Sequence, residues 1–390
     1  MKLVGKYCEA ACWCALLLLP AFLNAQGERH GGLGKTGLVN SLQISLTSTW
    51  QHVEKIQASD EPLSSLDIVA TKSWGAAVLT LYLEGCTTPL SHGVAAAFAI
   101  PQVNGDAGTA LDSSGHGRLQ LSELHLAYPL GPGLLTLGMV DPSAFADVNS
   151  IANDETSQFL AAPLVNNPTI PFPDYTLGMV YRAEKLLGDL GINLMLLKTP
   201  GLGDGDCTYS TLLRFDDAQK AAFLIGELLE PLGSIEWTVG LWHSNARWYS
   251  YLRERWYDGI GGFYLVADGS FGRLRWSARL GVADDRVFTF PRFGSLAVEG
   301  NLGAGVWGAG LAYRGPSSDL QDLAKFSDTQ ISRPVLTEIY LRYPLAFDLE
   351  ISPDVQLVRN PILPDGSQLA DDYWVASIRI GYRLVDYNLK

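Results

Sequence analysis

Cysteine and histidine are scarce, charge is thin, and beyond residue 23 no apolar run is long enough to cross a membrane as a helix. The chain has 390 residues, of which five are Cys and six are His. Cys8, Cys12 and Cys14 lie in the first 25 residues, which leaves Cys86 and Cys207 for the rest. Two cysteines make neither a disulfide scaffold nor a CxxC metal site. An oxidising compartment would let them pair, but sequence spacing does not bring their sulfurs together. The histidines show no HExxH or paired spacing, so no metal is expected. Lys and Arg number 28 against 41 Asp and Glu, a net charge of −13. That field repels phosphate backbones and argues against nucleic acid as a partner. Catalytic signatures are missing too. There is no G-x-S-x-G elbow. Gly31–Thr36 resembles a phosphate loop but has Arg29 where its first Gly belongs. The glycines of 201–205 precede no helix pattern, as a dinucleotide fingerprint would require. Asp141, Asp147, Asp154 and Glu155 lack the spacing of a calcium loop. No enzyme activity and no cofactor are expected.

What the chain does have begins with a leader. Lys2 and Lys6 precede the apolar stretch Ala15–Leu23, and Leu23-Asn24-Ala25 resembles a small-residue cleavage site. Residues 1–25 read as a secretory signal, too short and too interrupted by Pro20 for a spanning helix. Residues 26–40 read as an N-terminal segment, and 41–390 as one domain without a linker.

Within that domain period two dominates. Apolar and polar residues alternate in Leu42–Thr47, in Arg273–Leu280 and in Ala376–Leu384, the pattern of strands with one apolar and one polar face. Segments of this kind fall near 41–51, 63–72, 75–84, 118–129, 134–140, 175–183, 190–198, 220–229, 235–246, 258–268, 272–283, 294–302, 305–314, 333–344, 347–359 and 373–385. They make sixteen strands joined alternately by short turns and long loops, the arrangement of an all-β transmembrane antiparallel barrel. A soluble β-protein acting on glycans also alternates, with the polar face outward. It would need a propeller-like repeat that the chain lacks, and a sixteen-stranded barrel is too wide for side chains to fill, so its lumen must be wet and its exterior apolar.

Residues 138–178 carry the most specific pattern. Gly138 to Asp141 form a G-x-x-D turn, Asp147 to Leu160 read D-x-N-x-x-A-N-D-E-T-x-Q-F-L, and Asn166-Asn167-Pro168 follow. With Gly240–His243, Glu338–Tyr343 and Ser352–Pro361, this resembles the carbohydrate-selective porin (OprB) family across most of the domain. The resemblance implies a sixteen-stranded outer-membrane barrel for sugar uptake, with outer-membrane lipid, lipopolysaccharide and the barrel-insertion machinery as partners. Family members usually end on an aromatic residue, whereas this chain runs past Tyr387 to Lys390. A general porin without sugar preference remains the alternative, and neither the sugar nor the oligomeric state can be read from the residues.

If the apolar face meets lipid, opposite parity lines the lumen. Charges on the lipid face would cost about 2–4 kcal/mol each at the midplane, so Arg273, Arg275 and Arg279 read as an inward ladder, joined by Arg182, Trp242, Glu338, Tyr340, Arg342 and Arg379. Mixed charge and aromatic faces suit neutral polyols better than a single-sign ion filter does. In the resemblance the 141–174 connection is the loop that narrows the pore. Phe145, Ile151, Phe159, Leu160, Leu164 and Val165 make it too apolar for a loop left in water, and Asp154, Glu155 and Gln158 become candidate constriction residues.

Overall fold

The computed structural model describes residues 39–112, 114–203, 208–213, 221–326 and 331–388. The leader assigned to 1–25, most of the 26–40 segment, and Cys207 with its pairing to Cys86 lie outside these residues.

Sixteen antiparallel strands close into one barrel, each paired with its sequence neighbours and β1 sealed against β16. They are β1 Ser41–Val53, β2 Glu61–Trp74, β3 Ala77–Cys86, β4 Leu119–Leu130, β5 Gly133–Val140, β6 Thr176–Leu187, β7 Leu190–Thr199 and β8 Ala221–Leu232. The circuit continues with β9 Ile235–Ser250, β10 Arg255–Phe271, β11 Leu274–Ala283, β12 Arg292–Leu302, β13 Gly305–Gly315, β14 Val335–Pro344, β15 Leu349–Arg359 and β16 Asp372–Asn388. Every strand expected from alternation is present. The largest difference lies at β9 and β10, where the expected 247–257 loop is mostly paired strand, with Ser250 opposite Arg255. Its aromatic and Arg-rich residues read as a loop because their alternation is not apolar against polar. At the other end the turns are tight, and Gly131 and Gly272, at φ 60° and 62°, supply the left-handed backbone that two-residue hairpins need.

The strand faces are inverted relative to a water-soluble barrel. Outward positions are apolar and exposed, Leu241 by 62% and Ile339 by 57%, with Leu124, Leu194, Leu280, Leu311 and Ile380 in the same belt. Inward positions carry Thr49, Gln51, Glu227, Glu299, Asp354 and Gln356, all buried. Such a surface is stable only against hydrocarbon, which makes this an outer-membrane-type barrel.

The hydrophobic core sits inside the lumen, because two long loops fold inward. Ile151, Phe159, Leu164 and Val165 from the 141–175 loop, and Val94, Phe98 and Val103 from the 87–118 loop, pack on Phe293, Ala297, Leu336, Val358 and Val375 of the inner wall. A second cluster joins Ala146 and Ile170 to Phe223, Trp242, Ile260 and Tyr264. The apolar content of 141–174 thus has its expected consequence. The infolding of 87–118 was not anticipated, since its few large apolar residues, Val94, Phe98 and Val103, are spread among small and polar ones.

Placing a charge in the outer belt should be costly and placing one in the lumen should not. Ile339→Arg, in mid-strand, is expected to destabilise the barrel by about 2–4 kcal/mol in urea titrations of vesicle-folded protein, against less than about 1 for the inward Thr238→Arg.

Candidate functional site

A loop inside a barrel brings backbone N–H and C=O groups away from bulk water, and each needs a partner. The lumen side chains supply them. Glu338 on β14 accepts from the backbone N–H of Leu160 at 2.5 Å and of Ala161 at 2.9 Å. Glu227 on β8 accepts from the N–H of Asp147 at 2.9 Å and from the Tyr264 hydroxyl at 2.8 Å. Asn193 on β7 donates to the Phe145 carbonyl at 2.7 Å. Arg279 on β11 donates to the carbonyls of Asp147, Ala152 and Leu164 at 2.7–2.8 Å, to Asn153 Oδ1 at 2.9 Å, and pairs with the Asp147 carboxylate at 2.9 Å. Arg342 donates to the Ser157 carbonyl at 2.8 Å, and Arg379 to those of Gln158 at 2.7 Å and Glu155. The loop lies flush on the wall where Gly281 and Gly310 carry no side chain. A Cβ at Gly281 would stand 2.1 Å from Thr169 Oγ1, and one at Gly310 2.9 Å from Leu164 and Phe159.

The 87–118 loop is fastened to β1, β2 and β15. Gln51 and Gln356 donate to the Val103 carbonyl at 3.4 and 2.9 Å, and Asn104 donates to Gln51 at 2.8 Å. Ser65 donates to Asp106 at 2.8 Å. Glu61 accepts from the N–H groups of Leu90 and Ala95 at 2.8 and 2.5 Å, capping the short helix Val94–Ala97. The two loops meet where Gly105 N–H donates to the Leu160 carbonyl at 2.7 Å.

These anchors correct several expectations. Arg279 is 1% exposed in the salt bridge and Arg379, Glu338, Tyr340 and Trp242 are likewise buried, so none of them presents a wetted surface to a solute. Arg279, Arg379 and Glu338 bond the loop, and Tyr340 donates to Glu299 at 2.9 Å. Trp242 stacks on Phe223 at 5.5 Å. Arg273 is exposed in the turn that precedes β11, at the barrel rim and off the ladder. Arg275 pairs with Glu299 and stays about half exposed, and Arg182 faces the lumen. Asp154 accepts from Thr156 N–H and Oγ at 2.8 and 2.6 Å, and Gln158 accepts from Asn153 N–H at 2.6 Å, so both shape the loop. Glu155 lines a cavity.

Two cavities flank the 141–175 loop. The outer one, on the long-loop side, measures about 910 Å³ and is lined by Gln102, Asn104, Asn166, Asn167, Glu155 and Asp141 among others, with Phe172 and Tyr175 on its wall. The inner one, on the short-turn side, measures about 430 Å³ and is lined by Arg182, Glu227, Glu236, Thr238 and Asp268 beneath Asn149 and Ser150. The outer chamber holds carboxamides, carboxylates and aromatic faces, the groups that exchange hydrogen bonds with hydroxyls and stack on apolar ring faces. Sequence reasoning missed Gln102, Asn104, Glu227 and Asp106. Glu227 had a signal, a lone carboxylate at inward parity beside Phe223 and Ile225.

The barrel, its in-folded loop and the chamber above it can be compared with known structures. OprB of Pseudomonas putida, in its high-pH structure, superposes with a TM-score of 0.67 over 90% of this chain and 96% of its own at 12% identity. The fold is OprB-like. An anion-selective porin from Comamonas acidovorans matches at TM-score 0.50, 13% identity and 88% and 99% coverage. OmpT, an outer-membrane protein of Vibrio cholerae, matches at 0.51, 10% identity and 88% and 96% coverage. In sequence, an uncharacterised protein of Aquifex aeolicus (strain VF5) is 25% identical over 242 residues, 62% of this chain, and the match spans 64% of that relative's length. No family profile matches. At these identities the likeness to OprB is one of fold.

Two consequences are measurable. Arg279→Met removes one partner of a buried pair, a loss of about 3–5 kcal/mol. It should release the 141–175 loop, seen as higher single-channel conductance and faster proteolysis within 141–175. The second concerns Asp106, whose carboxyl is pushed up to about 7 by burial, with Asp67 and Glu84 adding to the rise against the Ser65 hydrogen bond and Arg379. A carboxyl raised in the folded state stabilises fully below its ordinary value and loses that contribution as pH rises through the folded one. Proteolysis within 87–118 should therefore be slower at about pH 5 than at about pH 8, and Asp106→Asn should flatten the difference.

Proposed function

We propose that this chain is an outer-membrane porin that admits small carbohydrates to the periplasm by passive, binding-assisted diffusion, without enzymatic chemistry. The observation that carries the reading is the outer chamber, an amide- and carboxylate-lined volume roofed by long loops and floored by a loop folded inside a membrane-type barrel. Residues 1–25 serve export and 41–390 form the pore domain, with outer-membrane lipid, lipopolysaccharide and the insertion machinery as its surroundings.

A sugar enters the chamber, trades water for the side chains of Gln102 and Asn166, and passes the 141–175 loop, where Asp154, Glu155 and Gln158 set the constriction. Beyond it Arg182, Glu236 and Asp268 receive the hydroxyls and release them. Hydrogen bonds worth about 0.5–1.5 kcal/mol net to the carboxamides and about 1.5–3 to the charged groups, exchanged one after another with water, give contacts weak enough for exit, as a conducting site requires.

The test is current block by monosaccharides and disaccharides through the reconstituted barrel. Saturable block by glucose is expected. Gln102→Leu with Asn166→Leu, both exposed in the chamber, should raise the half-blocking concentration several-fold at unchanged stability. Steady current without block would make it a general porin, and absence of current would remove the channel reading.

A further inference from the structure

Arg314 stands near the outer end of β13, on the inward register of Gly308, Gly310 and Ala312, and its side chain lines the 910 Å³ chamber. It differs from Arg279, Arg275, Arg342 and Arg379 in what it touches. Arg279 has a carboxylate and three carbonyls, Arg275 has Glu299, and Arg342 and Arg379 have loop carbonyls. Among the described residues the Arg314 side chain makes one long hydrogen bond, Nη2 to the Phe290 carbonyl at 3.5 Å, and its guanidinium lies 5.7 Å from the Phe290 ring. Its buried Nε has no partner among them. Among the described residues no carboxylate acts on the guanidinium.

A cation withdrawn from water without a counter-ion is held at a cost, and an incoming anion relieves it. The planar fork of a guanidinium fits a carboxylate at two oxygens. The same chamber offers the exposed carboxamides of Gln102 and Asn166 to hydroxyls. We propose that Arg314 makes the chamber a binding site for sugar acids, polyols carrying one carboxylate, with Arg314 taking the carboxylate and the carboxamides the hydroxyls. This rests on the carbohydrate-porin reading and names its substrate class.

The experiment compares block of the single-channel current by glucose, glucuronate and acetate. A charge-assisted pair added to the shared hydroxyl contacts should lower the half-blocking concentration of glucuronate about ten-fold below that of glucose, with acetate weak because it lacks hydroxyls. Arg314→Met should abolish the glucuronate advantage and leave glucose block and open conductance near wild type. Arg314→Lys, which keeps the charge without the fork, should retain part of the advantage and decides the matter if the Met variant does not insert. Equal block by glucose and glucuronate, an unchanged advantage in Arg314→Met or a full one in Arg314→Lys, or acetate as effective as glucuronate would each overturn the proposal while the glucose result leaves the carbohydrate porin standing. Absence of block by either sugar would remove both readings.

Discussion

The Arg279–Asp147 pair and the carbonyls gathered around the same guanidinium hold the position on which the rest of the lumen depends. A closed barrel of sixteen strands encloses more space than its own side chains can fill. The inner wall is solved by bringing chain into that space, and chain brings unsatisfied peptide groups with it. Arg279 binds three loop carbonyls at once, a task suited to a donor that stays charged and forked when buried. Charged-group hydrogen bonds are worth about 1.5–3 kcal/mol each, so a few of them rival the apolar contacts of Phe159, Ile151 and Leu164 on the same wall.

The division of labour among the inward residues follows from that constraint. Carboxylates such as Glu338, Glu227 and Glu61 hold loop N–H groups, arginines hold loop carbonyls, and Gln51 and Gln356 serve the second loop. The groups remaining for a solute include exposed carboxamides in the outer chamber and the charged Arg182, Glu236 and Asp268 in the inner one. A solute therefore meets fewer charges at the loop itself than parity alone would place in the lumen.

Strand number and strand order could be read from alternation, because the lipid and the wet lumen impose opposite polarity on successive residues, and the infolding of the 141–174 loop from its apolar residues together with the family resemblance. The roles of individual charges could not. Parity placed Arg279, Glu338 and Arg379 correctly inside, yet whether a side chain inside meets water or a loop carbonyl depends on contacts across more than a hundred residues of sequence, such as Leu160 with Glu338. The 87–118 loop was opaque for a related reason. Its polar attachments are amides and single carboxylates and its apolar ones are the scattered Val94, Phe98 and Val103, none of which carries a periodic signature, and Asp106 is recognisable as buried only once Ser65 is seen opposite it.

The meeting of Gly105 with Leu160 gives the passage an unusual construction. The loop carrying Gly105 is tied to β1, β2 and β15, and the loop carrying Leu160 to the arc from β7 to β16. The aperture is thus a seam between two loops whose wall anchors interleave from β14 to β16, stitched by a backbone bond that no substitution of side chains deletes directly and by apolar contacts in one shared cluster. A change in the length or composition of either loop is felt by the other, so the gauge of the opening evolves through both together while the barrel stays as built.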